Sequence, residues 1–532
     1  MISKIEGVIK KVVGDKKFLV TASEKPEFGH YSTNAAFVVG GDPQKLADEI
    51  LRQAQDDKET KDLFEKYEVK GKFINFWISK NALVEGVAEA VKLKKLRTTG
   101  LTRQTSENPK LKINLEFVSA NPTGPLTMAN GRGGFLGDAL ANVFETVGHK
   151  ITREYYINDA GNQVRLLGES ILAALGKAEA KDEHYKGGYV KTLAAQLETK
   201  IKNTDAFGVG RMGAGILLKE IRASLKGAGI EFDEWFSEYE NLHAKKEIPK
   251  VLELLSKKGL VEEKDGAKWL KTSDIEDKDR VLVKSDGSPT YFLSDLAYHY
   301  DKLIKRKFDI AINIWGADHH GYVARLKSGV KAMGIDPDRL QIVMTQVVRL
   351  MENGEERKMS KRTGQFITMD ELIEEVGSDA ARFFFLMHAP ETHMDFDLAL
   401  AKEKSQKNPV YYAQYAYVRC GSILEKALGN PSTKLRVKGN WDLLKAESEL
   451  QLIRELVKLP DLVWQTANDY QVSRLARYAL ETARALNNFY EKERVIVDDK
   501  NLMNARLGLV AATREVLAKT LDLLGISKPE KM

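Results

Sequence analysis

The sequence is poor in the residues that build disulfides and membrane spans. It has a single cysteine, Cys420, in 532 residues, which excludes an intrachain disulfide and a cysteine-rich zinc site and is typical of a reducing compartment. No apolar run reaches the ~20 residues that a membrane-spanning helix needs. Residues Met1–Val8 mix acidic and basic side chains before any long apolar stretch, unlike a secretory signal. We therefore expect a cytoplasmic protein.

Neither sign of charge dominates the chain. There are 82 Lys plus Arg against 76 Asp plus Glu, a formal net charge of +6, which permits a polyanionic partner without requiring one. Apolar residues make up 43% of the chain and charged residues 30%, so wholesale disorder is excluded. A chain of this length is too long to fold around a single hydrophobic core, so we expect roughly three or four domains.

The amino-terminal region, residues 1–100, has the pattern of a small α+β domain. β-Branched and aromatic residues predict strands at Lys17–Thr21 and Gly71–Ile78, and helical periodicity predicts a helix over Pro43–Gln55. The segment Arg97–Pro109 is rich in Thr, Ser, Asn and Pro and lacks periodicity. We interpret it as the linker to the next domain.

From residue 111 to 345, strand-like and helix-like patterns alternate, which predicts a parallel α/β sheet. A charged, mostly helical insertion over 169–271 interrupts it. From residue 404 to 532 only helical periodicity remains, with a helix start at Asn408-Pro409 and a stop at Gly525. The strands of the sheet are expected at Ile113–Val118, Lys150–Ile157, Val281–Lys284, Ile310–Trp315 and Gln341–Val348.

A glycine-rich segment, Pro122–Gly134, lies between the strand Ile113–Val118 and a helical pattern that begins at Phe135. Backbone N–H groups and the helix dipole favour anions at such a strand-to-helix turn. Glycines keep side chains out of the turn and readily accept a positive φ; those in this segment are Gly124, Gly131, Gly133 and Gly134. The segment is a candidate nucleotide-phosphate site, and a tight structural turn is the alternative.

A second segment, Lys358–Gly364, places Lys358, Lys361 and an arginine beside Ser360. Such cations suit a loop that clamps a polyphosphate as negative charge develops. Because the segment follows the last predicted strand, we expect it at the carboxyl edge of the sheet, where doubly wound folds bind nucleotides. A solvated lysine-rich surface is the alternative. Together the two segments indicate nucleotidyl transfer.

Five strings carry a family resemblance, in the order Glu116–Pro125, Tyr156–Gln163, Ile314–Tyr322, Lys358–Arg362 and Asp379–Phe385. On these strings the chain resembles the arginyl-tRNA synthetases of bacterial type, class I aminoacyl-tRNA synthetases, along nearly its whole length. The resemblance implies an α/β Rossmann-type catalytic domain, an α+β N-terminal domain that touches the tRNA elbow, and an all-α C-terminal bundle that binds the anticodon. It assigns residues 346–403 to the KMSK loop and a region that contacts the tRNA stem.

The resemblance also implies the reaction. L-Arginine and ATP give arginyl-adenylate and pyrophosphate, and the arginyl group then passes to the terminal adenosine of tRNA(Arg). Mg²⁺ is implied together with ATP, without a dedicated protein site, and we expect a monomer. The alternatives are a non-catalytic tRNA-binding relative and a synthetase of the same fold with another amino-acid specificity.

One departure from the family pattern concerns catalysis. Where the family has His-X-Gly-His, this sequence has Thr127, Met128, Ala129 and Asn130. A hydroxyl and an amide still donate hydrogen bonds, but charge-assisted donation is lost. The resemblance assigns catalysis to Thr127, Asn130, Lys358 and Lys361, with Lys361 as the principal stabiliser of the leaving pyrophosphate. It assigns ATP binding to Gly124, Pro125, Gly131, Gly133, Gly316, Asp318, His319, Met359 and Ser360.

Recognition of arginine calls for carboxylates, because the rigid fork of guanidinium donors matches carboxylate geometry. Tyr291 and Asp295 are four residues apart and would share one face of a helix. The resemblance places Glu116, Asn121, Tyr291 and Asp295 around arginine, with Asp295 at the guanidinium and Glu116 or Asn121 nearer the α-amino group. A helix-face carboxylate that meets only solvent is the alternative for Asp295.

Metal and tRNA sites give weaker signals. Asp318, His319 and His320 have the residue types of metal ligands, but no second cluster follows at suitable spacing, so no metal site is expected. Contacts with tRNA are predicted for Asn75, on the implied elbow surface, and for Tyr417, because aromatic rings stack on unpaired bases. A strand residue that caps a turn is the alternative for Asn75, and helix packing is the interpretation of the neighbouring Tyr411 and Tyr415.

Overall fold

The computed structural model describes residues 1–23, 26–93, 110–272, 278–352, 354–357, 367–428 and 440–532. The chain divides into two compact units. The first comprises Met1–Lys110, Asn142–Gly148 and Lys404–Met532, and the second comprises Leu111–Ala141 and His149–Glu403. The predicted linker Arg97–Pro109 and the segment Lys358–Gly364 lie outside the described residues.

The strands of the described residues pair into four sheets. In chain order they are β1 (Val20–Ala22), β2 (Tyr31–Thr33), β3 (Phe64–Lys70), β4 (Phe73–Ile78), β5 (Lys112–Glu116), β6 (Lys150–Ile157), β7 (Glu234–Ser237), β8 (Val261–Lys264), β9 (Ala267–Leu270), β10 (Arg280–Val283), β11 (Ile310–Gly316), β12 (Leu340–Thr345), β13 (Val348–Glu352), β14 (Glu355–Glu356) and β15 (Met394–Asp397).

None of the helices in the described residues is both long and apolar enough to cross a membrane. In chain order they are α1 (Ile2–Val13), α2 (Ala35–Val39), α3 (Pro43–Asp56), α4 (Lys80–Val91), α5 (Met128–Thr146), α6 (Asn162–Ala174), α7 (Gly188–Leu197), α8 (Ala206–Gly227), α9 (Glu247–Lys257), α10 (Tyr291–Tyr300), α11 (Val323–Ala332), α12 (Met369–Val376), α13 (Ser378–Leu386), α14 (Leu398–Lys402), α15 (Pro409–Leu428), α16 (Glu447–Leu456), α17 (Leu459–Asp469), α18 (Ser473–Lys492) and α19 (Lys500–Leu524).

The first unit contains an antiparallel sheet, in the order β1-β2-β4-β3, and the packed helices α15 to α19. Asp42 caps α3 by accepting a hydrogen bond from the backbone of Gln44, and Pro43 occupies the first helical position. Helix α15 begins at Pro409. Helix α19 ends at Gly525, whose φ of 68° is the left-handed conformation typical of a helix C-terminus. Both ends agree with the sequence prediction.

The second unit is built on a parallel sheet in the order β12-β11-β5-β6-β7. Its strand order reverses between β5 and β11, the point at which doubly wound folds bind ligands beyond the carboxyl ends of the strands. The registers pair Ile113 with Ile310 on one side and with Ile151 on the other. The predicted α/β Rossmann-type class, with its α+β N-terminal and all-α C-terminal parts, is confirmed.

Two strand predictions need correction. The predicted strand Val281–Lys284 is β10, which belongs to a separate antiparallel sheet in the order β10-β9-β8 rather than to the parallel sheet. The fifth parallel strand is β7, Glu234–Ser237, inside the segment that the sequence predicted to be a mostly helical insertion. Four residues are too few for an alternating pattern to be recognised beside long amphipathic helices.

The predicted start of the helix that follows the glycine-rich segment Pro122–Gly134 also needs correction. Helix α5 begins at Met128 rather than at Phe135, so most of the glycines lie in its first turns. Within the described residues, the glycines with positive φ do not include Gly124 or Gly134. Close packing explains Gly134 instead, because a Cβ on this residue would lie 2.9 Å from the side chain of Ile230. Glycine lets this helix approach its neighbours closely.

Candidate active site

The carboxyl end of β5 turns sharply away from the sheet. Val118 has φ 66° and Ser119 has φ 38°, a left-handed conformation that is unfavourable for a β-branched residue such as valine. The hydroxyl of Tyr155 donates to the carbonyl of Ala120 at 2.7 Å and holds the turn in place. Strain of this kind concentrates at functional sites. The turn carries Asn121, which the sequence analysis assigned to the arginine site.

Glu116, at the end of β5, belongs to a buried charge network. Lys302 is fully buried, and its Nζ lies 2.6 Å from Glu116 Oε2 and 3.1 Å from Asn313 Oδ1. Arg306 pairs with Glu154 in the same network. Burial acts to raise the pKa of Glu154, but the Arg306 hydrogen bond and the charge of Lys302 hold that pKa below its usual range. Glu116 and Glu154 are therefore neutralised by cations of the protein itself.

Helix α10 carries Tyr291 and Asp295 on one face, as their spacing predicted. Thr290 caps the helix and Tyr291, in its first turn, is exposed. Asp295 accepts a hydrogen bond from the hydroxyl of Tyr322 at 2.5 Å. Burial raises the pKa of Asp295 to about 7, and the nearby carboxylates of Glu238 and Glu116 act in the same direction. A cation close to this side chain would favour the ionised form of the carboxyl group.

A cleft of about 960 Å³ opens beside α10, whose residues Tyr291 and Ser294 help to line it. The lining also includes Tyr322, Glu238 and basic side chains, namely Lys278, Arg280, Lys284 and Arg325. The cleft therefore offers both a carboxylate and cationic groups to a ligand.

Glu238 was not found from the sequence. It directly follows β7, so it lies at the carboxyl edge of the parallel sheet, and it is only 4% exposed. His243 Nε2 lies 3.2 Å from Glu238 Oε1. Recognition of β7 as a strand of the parallel sheet would have placed this carboxylate at the ligand-binding edge.

The glycine-rich segment Pro122–Gly134 places Thr127 and Asn130 against each other. The backbone N–H and the hydroxyl of Thr127 both donate to Asn130 Oδ1, at 2.9 and 2.8 Å. The pair therefore closes the first turn of α5. Among the described residues, no hydrogen bond is found for Asn130 Nδ2, which leaves that group as a donor toward the turn. Their assignment to catalysis stays a prediction.

Arg132 is a second residue that the sequence analysis did not single out. It is 3% exposed, and its guanidinium donates to the carbonyls of Gln346 at 2.7 Å, Ala389 at 2.9 Å and Thr392 at 2.8 Å. One side chain near the start of α5 thus joins the segments after β12 and α13. The only indication of this role in the sequence is that the arginine stands among glycines on the buried face of a helix.

Three of the residues predicted to bind ATP lie at the end of β11. Gly316 is the last residue of the strand, and Asp318 and His319 follow in a short 3₁₀ turn with exposed side chains. The ring of His319 lies 5.9 Å from that of Trp315. In the part of the chain that the structure describes, no group of three or more His, Cys, Asp or Glu could hold a metal ion. The predicted Lys358, Met359, Ser360 and Lys361 lie outside that part.

The two side chains predicted to contact tRNA are both buried in the first unit. Asn75 is 3% exposed, in the interior strand β4 between Ser32 and Glu68, so it is neither on an open surface nor in a turn. Tyr417 is 8% exposed and lies 4.8 Å from the guanidinium of Arg514. The Tyr417 ring is therefore packed among neighbouring side chains rather than accessible on its helix. A tRNA contact stays a prediction for both residues.

The neighbouring rings reverse the expected pattern. Tyr411 and Tyr415 are partly exposed and stack on each other, with ring centroids 6.4 Å apart. The guanidinium of Arg419 lies 4.7 Å from the Tyr415 ring and 5.2 Å from the Tyr490 ring. Side-chain exposure on this helix therefore favours Tyr415 over Tyr417 as a surface residue.

Known protein families match three successive parts of the chain. The family described as "Arginyl tRNA synthetase N terminal domain" matches residues 1–78. The family "tRNA synthetases class I (R), catalytic domain" matches residues 92–184 and 178–385, and the "DALR anticodon binding domain" matches residues 413–532.

Relatives match over almost their full length. The arginine–tRNA ligase of Carboxydothermus hydrogenoformans is 42% identical over 530 residues, covering 96% of this chain and 94% of the relative. That of Acetivibrio thermocellus is 42% identical over 549 residues, covering 99% and 95%. The solved arginyl-tRNA synthetase of Thermus thermophilus shares the fold, with a TM-score of 0.81 at 22% identity over 100% of this chain and 99% of that one. The chain therefore belongs to the arginyl-tRNA synthetase family.

Proposed function

We propose that this protein is an arginine–tRNA ligase that joins L-arginine to tRNA(Arg) with ATP, through an arginyl-adenylate intermediate. One observation carries the choice of amino acid. Asp295 accepts a hydrogen bond from Tyr322, which lines the cleft, and its pKa is raised by burial to about 7. Among the described residues, Asp295 forms no ion pair with a lysine or arginine. A partly buried carboxyl group of this kind is suited to a cationic ligand, and a guanidinium matches its geometry.

Arginine binds along α10 in this proposal. Asp295 receives the guanidinium while the Tyr322 hydroxyl holds the carboxylate in place, and Tyr291 covers the side chain from the first turn of the helix. Glu116 is already paired with Lys302 and accepts from the hydroxyl of Ser119. Asn121 is therefore the better partner for the α-amino group.

The proposed activation step joins the arginine carboxylate to the α-phosphate of ATP, and pyrophosphate leaves. The N-terminus of α5 favours the phosphates, and Asn130 Nδ2 is a donor beside them. Lys358 and Lys361 supply positive charge to the pyrophosphate. Mg²⁺ accompanies ATP and neutralises phosphate charge, and no residue of the chain is assigned to it.

The second proposed step transfers the arginyl group to the terminal adenosine of tRNA, and AMP leaves. Proposed tRNA contacts lie in the first unit, whose segments match the N-terminal and anticodon-binding families. We further propose that the protein acts as a monomer in the cytoplasm.

The test is ATP–pyrophosphate exchange, measured with arginine, lysine and citrulline, each with and without tRNA(Arg). Exchange with arginine alone among the three amino acids is the expected result. Exchange with another amino acid would replace arginine as the substrate.

The missing histidines at Thr127 and Asn130 favour one second candidate, a non-catalytic tRNA-binding relative. Binding of tRNA without exchange under any of these conditions would establish that candidate.

A further inference from the structure

Residues 120–123 connect the two halves of the proposed reaction. Asn121 is the proposed partner of the α-amino group of arginine, and Gly124, directly after this segment, was assigned to ATP. The segment contains neither helix nor strand. The backbone N–H of Thr123 donates to the carbonyl of Asn121 at 2.7 Å, which tightens the segment locally but does not fix its place in the domain.

Two tyrosine hydroxyls hold this segment at its two ends. Tyr155, on β6, donates to the carbonyl of Ala120 at 2.7 Å. Tyr189, in the first turn of α7, donates to the carbonyl of Thr123 at 2.9 Å. The first tyrosine belongs to the parallel sheet, whereas the second belongs to the helical insertion. Because Thr123 is only 9% exposed, its carbonyl depends on a partner from the protein.

The ring of Tyr189 packs closely against the glycine-rich segment. A Cβ on Gly124 would lie 3.6 Å from the Cζ and hydroxyl oxygen of Tyr189, and a Cβ on Gly187 would lie 3.3 Å from the same ring. Burial raises the pKa of Tyr189 to about 12, so the hydroxyl keeps its proton at neutral pH and stays a donor. The insertion thus reaches the glycine-rich segment through Tyr189.

The place of the segment matters for the proposed activation step. In that step an oxygen of the arginine carboxylate forms a bond to the α-phosphorus of ATP, and the bond from this phosphorus to pyrophosphate breaks. The two reacting atoms must be held about 3–3.5 Å apart, and a displacement of about 1 Å can cost roughly 100-fold in rate. A hydroxyl at each end of the segment fixes Asn121 relative to Gly124.

We propose that Tyr189 is a positioning residue for adenylate formation, whose hydroxyl holds the Thr123 carbonyl and thereby aligns arginine with the α-phosphate. The inference rests on the proposed function, because it concerns the activation step of that reaction. In the second step the arginyl and adenylyl groups are already joined by a covalent bond. That step therefore does not need the alignment that Tyr189 provides.

The central experiment compares Tyr189→Phe with Tyr478→Phe by ATP–pyrophosphate exchange, under conditions in which the parent exchanges. Tyr478 is the matched control, because its hydroxyl donates to the carbonyl of Glu455 at 3.1 Å in the helices of the first unit. Y189F should lower kcat by about 10- to 100-fold, with the KM values for arginine and ATP close to the parental ones. Y478F should keep the parental kcat. A parental kcat in Y189F, with or without a raised KM for ATP, would overturn the inference.

A second measurement separates alignment from general support of the domain. Synthetic arginyl-adenylate is mixed with each variant and tRNA(Arg), and the rate of arginyl transfer is recorded in a single turnover. Y189F should transfer at the parental rate although it forms the adenylate slowly. Equal slowing of both steps would mean that Tyr189 supports the fold of the site as a whole, and the inference would fail.

The outcomes distinguish this inference from the proposed function. A parent without exchange would refute the proposed ligase, whereas an active parent with an unchanged Y189F would refute only the role of Tyr189. If Y189F does not fold, as judged by its thermal unfolding, 4-aminophenylalanine at position 189 replaces it. That side chain keeps the ring and a neutral N–H donor, so it should sustain adenylate formation near the parental rate, and a rate about tenfold lower would contradict the role of the donor.

Discussion

Arginine binding should release a proton, and its affinity should rise with pH around neutrality. The source is Asp295, whose pKa is raised to about 7 by burial and by the charges of Glu238 and Glu116, against the Tyr322 hydrogen bond and the charge of Lys302. Because the pKa is raised, the neutral carboxyl prevails below pH 7 and the carboxylate above it. A guanidinium binds the carboxylate, so binding shifts this equilibrium toward ionisation.

The magnitude follows from that pKa. At pH 7 half of the free protein carries a neutral Asp295, so saturation with arginine releases about half a proton. At pH 6 about nine-tenths of the free protein is in the neutral form, and arginine should bind about tenfold more weakly than at pH 8.5. His299, one turn further along α10, does not contribute, because burial lowers its pKa to about 3.

Titration calorimetry measures this effect. Binding of arginine at pH 7 is recorded in buffers with different heats of ionisation, and the slope of the binding enthalpy gives the number of protons released. His243→Asn is the control for the imidazole that lines the cleft beside Glu238, and it should retain the release. An enthalpy that does not depend on the buffer, together with a flat affinity from pH 6 to 8.5, would refute the raised pKa of Asp295.

Three further predictions concern substitutions of Asp295, Asn130 and Arg132. Asp295→Ala should raise the KM for arginine by more than 100-fold, because a buried guanidinium without its carboxylate costs about 3–5 kcal/mol; an unchanged KM in the exchange assay removes Asp295 from the pocket. Asn130→Ala should slow adenylate formation by roughly 10²-fold with little change in ATP affinity, by analogy with loss of one transition-state donor. Full activity of the double variant Thr127→Ala, Asn130→Ala in single-turnover kinetics would show that only the backbone of this segment contributes to catalysis. Arg132→Met should lower the free energy of unfolding by about 3 kcal/mol or more, because three buried carbonyls lose their donor; a parental urea midpoint contradicts this.

The parts of the fold that the sequence predicted well are those with strong local patterns. Strand β6 was predicted with its observed bounds, and α3 within one residue of its end, because side-chain periodicity is set locally. Strand β7 was missed because its four residues lie among long helices, and β10 was assigned to the wrong sheet. Sheet membership depends on which strands meet in space, which a local pattern does not contain.

In the candidate site, too, local patterns were predicted from the sequence and contacts between distant segments were not. The spacing of Tyr291 and Asp295 indicated a shared helix face, and a helix joins them in the structure. Glu238 was missed with β7, since its position follows from that strand. The carbonyl partners of Arg132 lie 214, 257 and 260 residues away in the chain, and such distant hydrogen bonds leave no local pattern. The burial of Asn75 follows from its strand being interior, which the order of strands determines.

The hydrogen bonds of Arg132 have a consequence for the refolding of the protein. The chain has a single cysteine. Hydrogen bonds from one guanidinium connect segments that many secreted proteins would connect with a disulfide bond. This junction needs no oxidant to form and no reductant to open, so its recovery depends only on the removal of denaturant. The catalytic domain should therefore regain its tie between α5 and the segments after β12 and α13 equally well with or without a thiol reagent in the refolding buffer.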